Sequence, residues 1–165
     1  RRICAQVPDV EDLTRQIRQY KKGKPKPVIK CLGYMLAAGG FSVFYGGDLK
    51  DGLAAAAIAI VIYLMDYHLK LRQIHNVIYT FVAGFVSGLL ALGLTRLGLG
   101  HQADKIMIGD IMLLIPGLMS TNAIRDVLIG DTLSGIIRLI AALLLAAALA
   151  LGFMGAIILF GRFGL

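Results

Sequence analysis

The chain has 165 residues, of which 58% are hydrophobic and 16% charged, and its mean hydropathy is +0.77. Because this is far more apolar than a soluble domain of similar length, the composition predicts an all-α integral membrane protein. The formal net charge of +7 is concentrated at the front, where nine of the 17 Lys and Arg residues precede position 31. A basic block beside a membrane segment is typical of cytosolic flanks that contact anionic lipid, so we expect membrane lipid and no nucleic acid as a partner.

The head, residues 1–27, is predicted to be a basic cytosolic tail. Within it, residues 8–22 predict a short amphipathic helix, since apolar residues recur there at helical spacing. The following GKPKP at 23–27 predicts a stiff linker that cannot be a helix interior. The chain opens on Arg-Arg without an initiator Met or a signal peptide, so we expect the tail to be the remnant of a longer N-terminal region.

Residues 28–165 are predicted to form a transmembrane helical domain. Apolar runs of suitable length indicate about five membrane helices, at about 28–46, 52–69, 74–97, 106–119 and 120–160. The fourth helix contains a proline-glycine break at Pro116 and Gly117. The third contains Gly84-x-x-x-Gly88, a pattern that predicts close helix packing.

The charges between these helices predict their orientation. With the head in the cytosol, thirteen Lys and Arg residues lie on the cytosolic side and four lie outside: Lys50, Arg96, Lys105 and Arg162. This bias predicts a multi-pass membrane protein with a cytosolic N-terminus and an external C-terminus. An odd number of helices in so small a chain suggests half of a larger assembly.

One pattern occurs twice. Gly47-Asp48-x-x-x-Gly52 and Gly130-Asp131-x-x-x-Gly135 each precede an apolar helix, 83 residues apart and on opposite predicted faces. An inverted repeat would require the two patterns to lie on opposite faces in this way. In a chain with 20 glycines, coincidence remains the favoured interpretation.

The region after the break is the predicted substrate site. It carries Thr121, Asn122, Arg125 and Asp126 between two apolar runs, and polar residues at membrane depth usually line a cavity or carry a function. If Ser120 or Thr121 capped a new helix, its free N–H groups would favour an anion such as a carboxylate. The Arg125 guanidinium suits a carboxylate held by two hydrogen bonds. Alternatively, Arg125 forms a structural ion pair with a neighbouring aspartate or extends to the membrane interface.

Two aspartates are candidates for proton coupling, Asp110 and Asp131. A carboxyl in a membrane domain can carry a proton during transport, and Asp110 is the better candidate because Asp131 also suits a helix N-cap. Cys4, Cys31 and the three histidines lack metal-binding spacing, and we find no catalytic motif. The sequence therefore predicts neither an enzyme nor a cofactor.

Four segments together resemble a known family: FYGGDLKDG at 44–52, LTRLGLG at 94–100, MIGDIMLLIPGLMSTNAIRDVLIGDTLSGIIRL at 107–139, and the alanine-leucine helix that follows. Over roughly residues 28–160 the chain resembles the threonine/serine exporter family, in the half that has a cytosolic N-terminal region and about five membrane helices. The motif PG-x-x-x-TNAIRD-x-x-x-GD-x-x-SG carries the resemblance most specifically. The family has a longer upstream region, of which only the tail is present here.

The resemblance implies export of small amino acids such as threonine and serine across the plasma (inner) membrane, driven by the proton gradient. It also implies a second small membrane protein that supplies the other half, or a homo-oligomer. The family's signature transfers onto Pro116, Gly117, Thr121, Asn122, Arg125, Asp126, Gly130, Asp131, Gly135 and Arg138. Two alternatives stay open: a dicarboxylate (succinate) exporter subunit, with Arg138 as a second cationic anchor, and a structural membrane subunit without a solute path.

Overall fold

The computed structural model describes residues 27–71 and 75–163, except for the side chains of 69–71 and 163. These residues form six α-helices: α1 (Pro27–Phe44), α2 (Leu49–Leu71), α3 (Asn76–Arg96), α4 (Ala103–Leu114), α5 (Gly117–Leu128) and α6 (Thr132–Phe163). The described residues contain no strand, which confirms the predicted all-α fold. The helix predicted at 8–22 lies outside the described residues, and residues 31–165 form one compact unit.

Three helices are long and apolar enough to cross a membrane: α1, α3 and α6. The pair formed by α4 and α5 counts as a fourth if it is one span, bent by 51° at its break. The sequence predicted about five crossings, and its second, α2, is a 23-residue helix that is not among these candidates. Its first turn carries Lys50 and Asp51.

The predicted boundaries around the break are wrong. We expected the last helix to start near Ser120, but α5 starts at Gly117, ends at Leu128 and is separated from α6 by a second turn at 129–131. The physical reason is Gly130, whose φ of +94° ends α5 in a left-handed conformation that glycine adopts without strain.

Glycines join α3 to α6. A Cβ atom at Gly152 would lie 2.5 Å from the Phe81 carbonyl oxygen, and one at Gly88 would lie 2.8 Å from the Ala156 Cβ. Neither position leaves room for a side chain, so the two backbones approach closely in the way that small residues permit between membrane helices.

The same contacts show that α6 is longer than the bundle it packs against. Residues 81 to 96 of α3 meet residues 152 to 160 of α6 in the same order, so the two helices run in one direction. With 32 residues against 21, α6 is roughly 16 Å longer at about 1.5 Å per residue. Because Arg96 at the end of α3 already lies over the Phe160 ring, most of the excess is at the start of α6. We call residues 132–142 the α6 extension.

Candidate functional site: the break after α4 and the hairpin of α5 and α6

The break between α4 and α5 is a local consequence of Pro116. The residue before a proline is disfavoured in helical conformation, and Ile115 is extended, with φ −60° and ψ 131°. The Gly117 N–H donates to the Ile115 carbonyl oxygen at 2.8 Å, and α5 starts there. The chain thus changes direction between two short helices at the position where the sequence has proline and glycine.

Ser120 and Thr121 lie inside α5 and do not cap it. The Ser120 hydroxyl donates to the Pro116 carbonyl oxygen at 3.1 Å, and the Thr121 hydroxyl donates to the Gly117 carbonyl oxygen at 2.9 Å. Pro116, the N-cap residue, makes no side-chain capping hydrogen bond. The expected capping by Ser120 or Thr121 is therefore wrong, because the helix starts one turn earlier and the hydroxyls bond to carbonyl groups four residues back.

The predicted substrate residues lie on α5, where Thr121, Asn122 and Arg125 are all exposed. Arg125 follows Asn122 by three residues and Thr121 by four, so the three side chains share one side of the helix. Among the described residues, no ion pair involves Arg125. The alternative interpretation, a structural ion pair of Arg125 with a neighbouring aspartate, is therefore not seen among the described residues, and its guanidinium is exposed to a ligand.

Asp126 pairs instead with Arg138. The Arg138 Nη1 atom lies 2.6 Å from the Asp126 Oδ2 atom, and this ion pair joins α5 to the α6 extension. The two helices are also close at Gly135, where a Cβ atom would lie 2.8 Å from the Ala123 carbonyl oxygen. Three signature residues, Asp126, Gly135 and Arg138, therefore lie where α5 meets the α6 extension. Arg125 is next to Asp126 in the sequence but is not part of this ion pair.

The two proton-coupling candidates have opposite environments. Asp110, on α4, is fully buried, and neither carboxyl oxygen has a hydrogen-bond partner among the described residues. The preceding Gly109 packs against the Ala38 carbonyl group and the Ser42 side chain of α1. Asp131 is exposed in the turn just before α6. A buried, unbonded carboxyl is costly to maintain, which makes Asp110 the more informative of the two.

Asp51 is a functional candidate that the sequence did not reveal. This fully buried carboxylate accepts hydrogen bonds from three backbone N–H groups: Asp48 at 3.0 Å, His101 at 2.6 Å and Gln102 at 3.1 Å. Asp48 also lies 3.0 Å from His101 through its side chain. The hydrogen bond that the Asp48 N–H donates to the Asp51 carboxylate is half of a capping box. In the sequence, the Asp-x-x-Asp spacing before an apolar run indicates this motif. The partners at 101 and 102 could not be predicted.

A second group that the sequence did not reveal joins α1, α2 and α3. The Tyr34 hydroxyl donates to the Asp66 Oδ2 atom at 3.4 Å, and Asp66 also interacts with the Tyr79 hydroxyl. The Tyr34 and Tyr63 rings meet edge to face with centroids 5.6 Å apart. Within the described residues, no group of three or more His, Cys, Asp or Glu side chains could hold a metal ion.

The comparison with protein families agrees with the sequence resemblance. A family model described as "Putative threonine/serine exporter" (ThrE) matches residues 1–160, nearly the whole chain. None of the curated proteins and none of the solved structures matches it significantly. The family match includes the break, α5 and most of α6.

Proposed function

This chain belongs to the threonine/serine exporter family, and from that membership we propose that it exports small amino acids such as threonine and serine across the plasma membrane. The family match over residues 1–160 is the observation that carries this proposal. Helices long and apolar enough to cross a membrane are consistent with a multi-pass transporter. An enzyme activity has no support in the family description or in a catalytic motif.

In this proposal α5 binds the carboxylate of the amino acid. Arg125 is exposed and has no ion-pair partner among the described residues, so its planar group can hold a carboxylate in two hydrogen bonds. Asn122 and Thr121 lie on the same side of α5, where they can contact the rest of the solute. Asp126 fixes this helix against α6 through Arg138 and can contact the solute's ammonium group with its other carboxyl oxygen.

Proton coupling is assigned to Asp110, with Asp131 as the second candidate. Asp110 is enclosed by protein a few residues before the break, so a proton bound there is shielded from water. Pro116 and Gly117 separate α4 from α5 and would act as the gate through which proton binding on α4 changes the position of α5. The cytosolic N-terminus remains part of the proposal on the strength of the charge bias.

The ion pair of Arg138 with Asp126 favours an amino acid over a dicarboxylate as the solute. A dicarboxylate exporter requires a second cationic anchor, and Arg138 was the candidate for it. Its guanidinium is already bound to Asp126 at 2.6 Å, so of these two arginines Arg125 is the one open to a carboxylate. A structural subunit without a solute path would give neither threonine nor succinate transport.

Efflux of loaded threonine or serine from proteoliposomes containing the purified full chain tests this function. We expect Arg125→Lys to reduce efflux about tenfold, because lysine cannot replace a bidentate bond worth about 1.4 kcal/mol. Asn122→Ala should also reduce it. Arg162→Lys is the matched control, since Arg162 is an exposed arginine near the other end of α6. Efflux at the wild-type level in both site variants would contradict the proposed site, and succinate efflux without threonine efflux would contradict the solute.

A further inference from the structure

The α1–α2 and α5–α6 hairpins are built alike. Gly46 and Gly130 have φ values of +93° and +94°, and each donates its N–H to the valine carbonyl three residues earlier, at 3.0 Å. The next N–H, of Gly47 or Asp131, bonds five residues back in both cases. This helix-ending motif also occurs at Gly98 after α3, so it is common to three turns of the described residues and is not by itself specific to the two hairpins.

The second helix of each hairpin begins in the same way. A Cβ atom at Gly52 would meet the Val43 Cγ2 atom at 2.7 Å, and one at Gly135 would meet the Val127 Cγ2 atom at 2.5 Å. Positions in α1 therefore correspond to positions 84 later in α5, and positions in α2 to positions 83 later in α6. The twofold occurrence of the Gly-Asp pattern has a structural basis.

The two hairpins differ in what covers them. In the first hairpin, α4 lies in the groove between α1 and α2. There Gly109 packs against the Ala38 carbonyl group and lies near the Ser42 Cβ. The groove positions there are all buried: Ala38, Ser42, Ala54, Ala55 and Ile58. The corresponding positions of the second hairpin are Asn122, Asp126, Ile137, Arg138 and Ala141, and none of them is buried. Within residues 27–71 and 75–163, no helix covers the α5–α6 groove as α4 covers its counterpart.

The length of α6 points to the same surface. The apolar stretch Thr132–Arg162 has 31 residues and a mean hydropathy of 2.6, whereas about 20 residues cross a bilayer. The excess is the α6 extension, where Leu133 is 74% exposed and Ile137 60%. Apolar surface beyond the level at which α3 starts is costly in water and is stabilised by contact with protein.

We propose that a second copy of this chain covers this groove, with the α6 extensions of the two copies packed against each other around a two-fold axis along the membrane normal. The helix that covers the first hairpin runs antiparallel to α1, since Lys105 is near Gly47 and Gly109 near Ala38. In a copy with the same orientation in the membrane, α6 likewise runs antiparallel to α5. In this arrangement the Asp126–Arg138 ion pair of each copy would face the same pair of the other copy, where each arginine could also contact the other copy's aspartate. The proposed solute site would then be enclosed between the two copies, and this enclosure alone rests on the proposed function.

Cysteine cross-linking in proteoliposomes tests the interface. In the full chain with Cys4→Ser and Cys31→Ser, Ile137→Cys should give a disulfide-linked dimer on oxidation, and Ile158→Cys should not. The two positions are matched, because both are isoleucines of α6 with 60% exposure. Equal cross-linking at both positions, or none at position 137, would overturn the proposal.

Charge exchange between copies gives a second test. Alone, Asp126→Arg and Arg138→Asp each place like charges in the groove and should leave the purified chain monomeric in light scattering. An equal mixture of the two variants restores both opposite-charge pairs across the interface and should form heterodimers. If the mixture and the wild type were both monomeric while circular dichroism still showed helical protein, the proposal of a second copy would be wrong. A chain of different sequence would then cover the groove.

Efflux measured on chains that keep Asp126 and Arg138, the wild type and the Ile137→Cys variant, separates this inference from the proposed function. Threonine efflux by protein that stays monomeric would contradict the dimer and leave the export function standing. A dimer without threonine efflux would contradict the export function and leave the interface standing.

Discussion

At the scale of single residues, Asp110 is the side chain whose environment is hardest to explain by packing alone. It is fully buried, and among the described residues neither of its oxygens accepts or donates a hydrogen bond. An asparagine has nearly the same shape and cannot carry a proton, so Asp110→Asn removes the proposed coupling with little change in volume. We expect the variant to exchange threonine across the membrane but to lose acceleration by an imposed pH gradient, measured in proteoliposomes.

Asp131→Asn is the control for this prediction, since Asp131 is the other candidate and is exposed in a turn. We expect the control to respond to the gradient as the wild type does. A gradient response that survives Asp110→Asn and disappears in Asp131→Asn would move proton coupling from α4 to the turn before α6.

At the scale of helices and loops, Asp51 connects the turn before α2 to the loop between α3 and α4. Its carboxylate accepts N–H groups from Asp48, His101 and Gln102, and Asp51→Ala would leave these donors without their acceptor. We expect a loss of about 2 to 4 kcal/mol in unfolding free energy, measured by thermal or denaturant unfolding in detergent. Asp48→Ala, at a side chain that is 66% exposed, should have a much smaller effect. Equal losses in the two variants would contradict this role.

The helices also show what could be predicted from the sequence. Pro116 specifies its break locally, so the bend between α4 and α5 follows from one dipeptide. The second break at 129–131 was not predicted as a boundary between two helices, although the Gly130-Asp131 pattern and the N-cap candidate Asp131 indicated a helix start there. The partners of Asp51 and of Asp126 lie 50 and 12 residues away in the sequence, and no local pattern specifies such contacts.

At the scale of the whole molecule, the two similar hairpins turn at opposite ends of the bundle. The turn between α1 and α2 lies beside Lys105, at the end where α3 stops, whereas the turn between α5 and α6 lies beyond the end where α3 starts. The charge bias places the latter end in the cytosol.

In the chain with Cys4→Ser and Cys31→Ser, we therefore expect a membrane-impermeant maleimide to label Asp48→Cys in intact cells and Asp131→Cys only in inverted vesicles. Both residues are exposed, so whether the reagent reaches each one depends on the side of the membrane that the residue faces. Labelling of both from one side would contradict the arrangement of the two turns. The reverse labelling pattern would agree with the same helix bundle but would place its N-terminus outside the cell. The inward and outward ends of the proposed export path would then be exchanged.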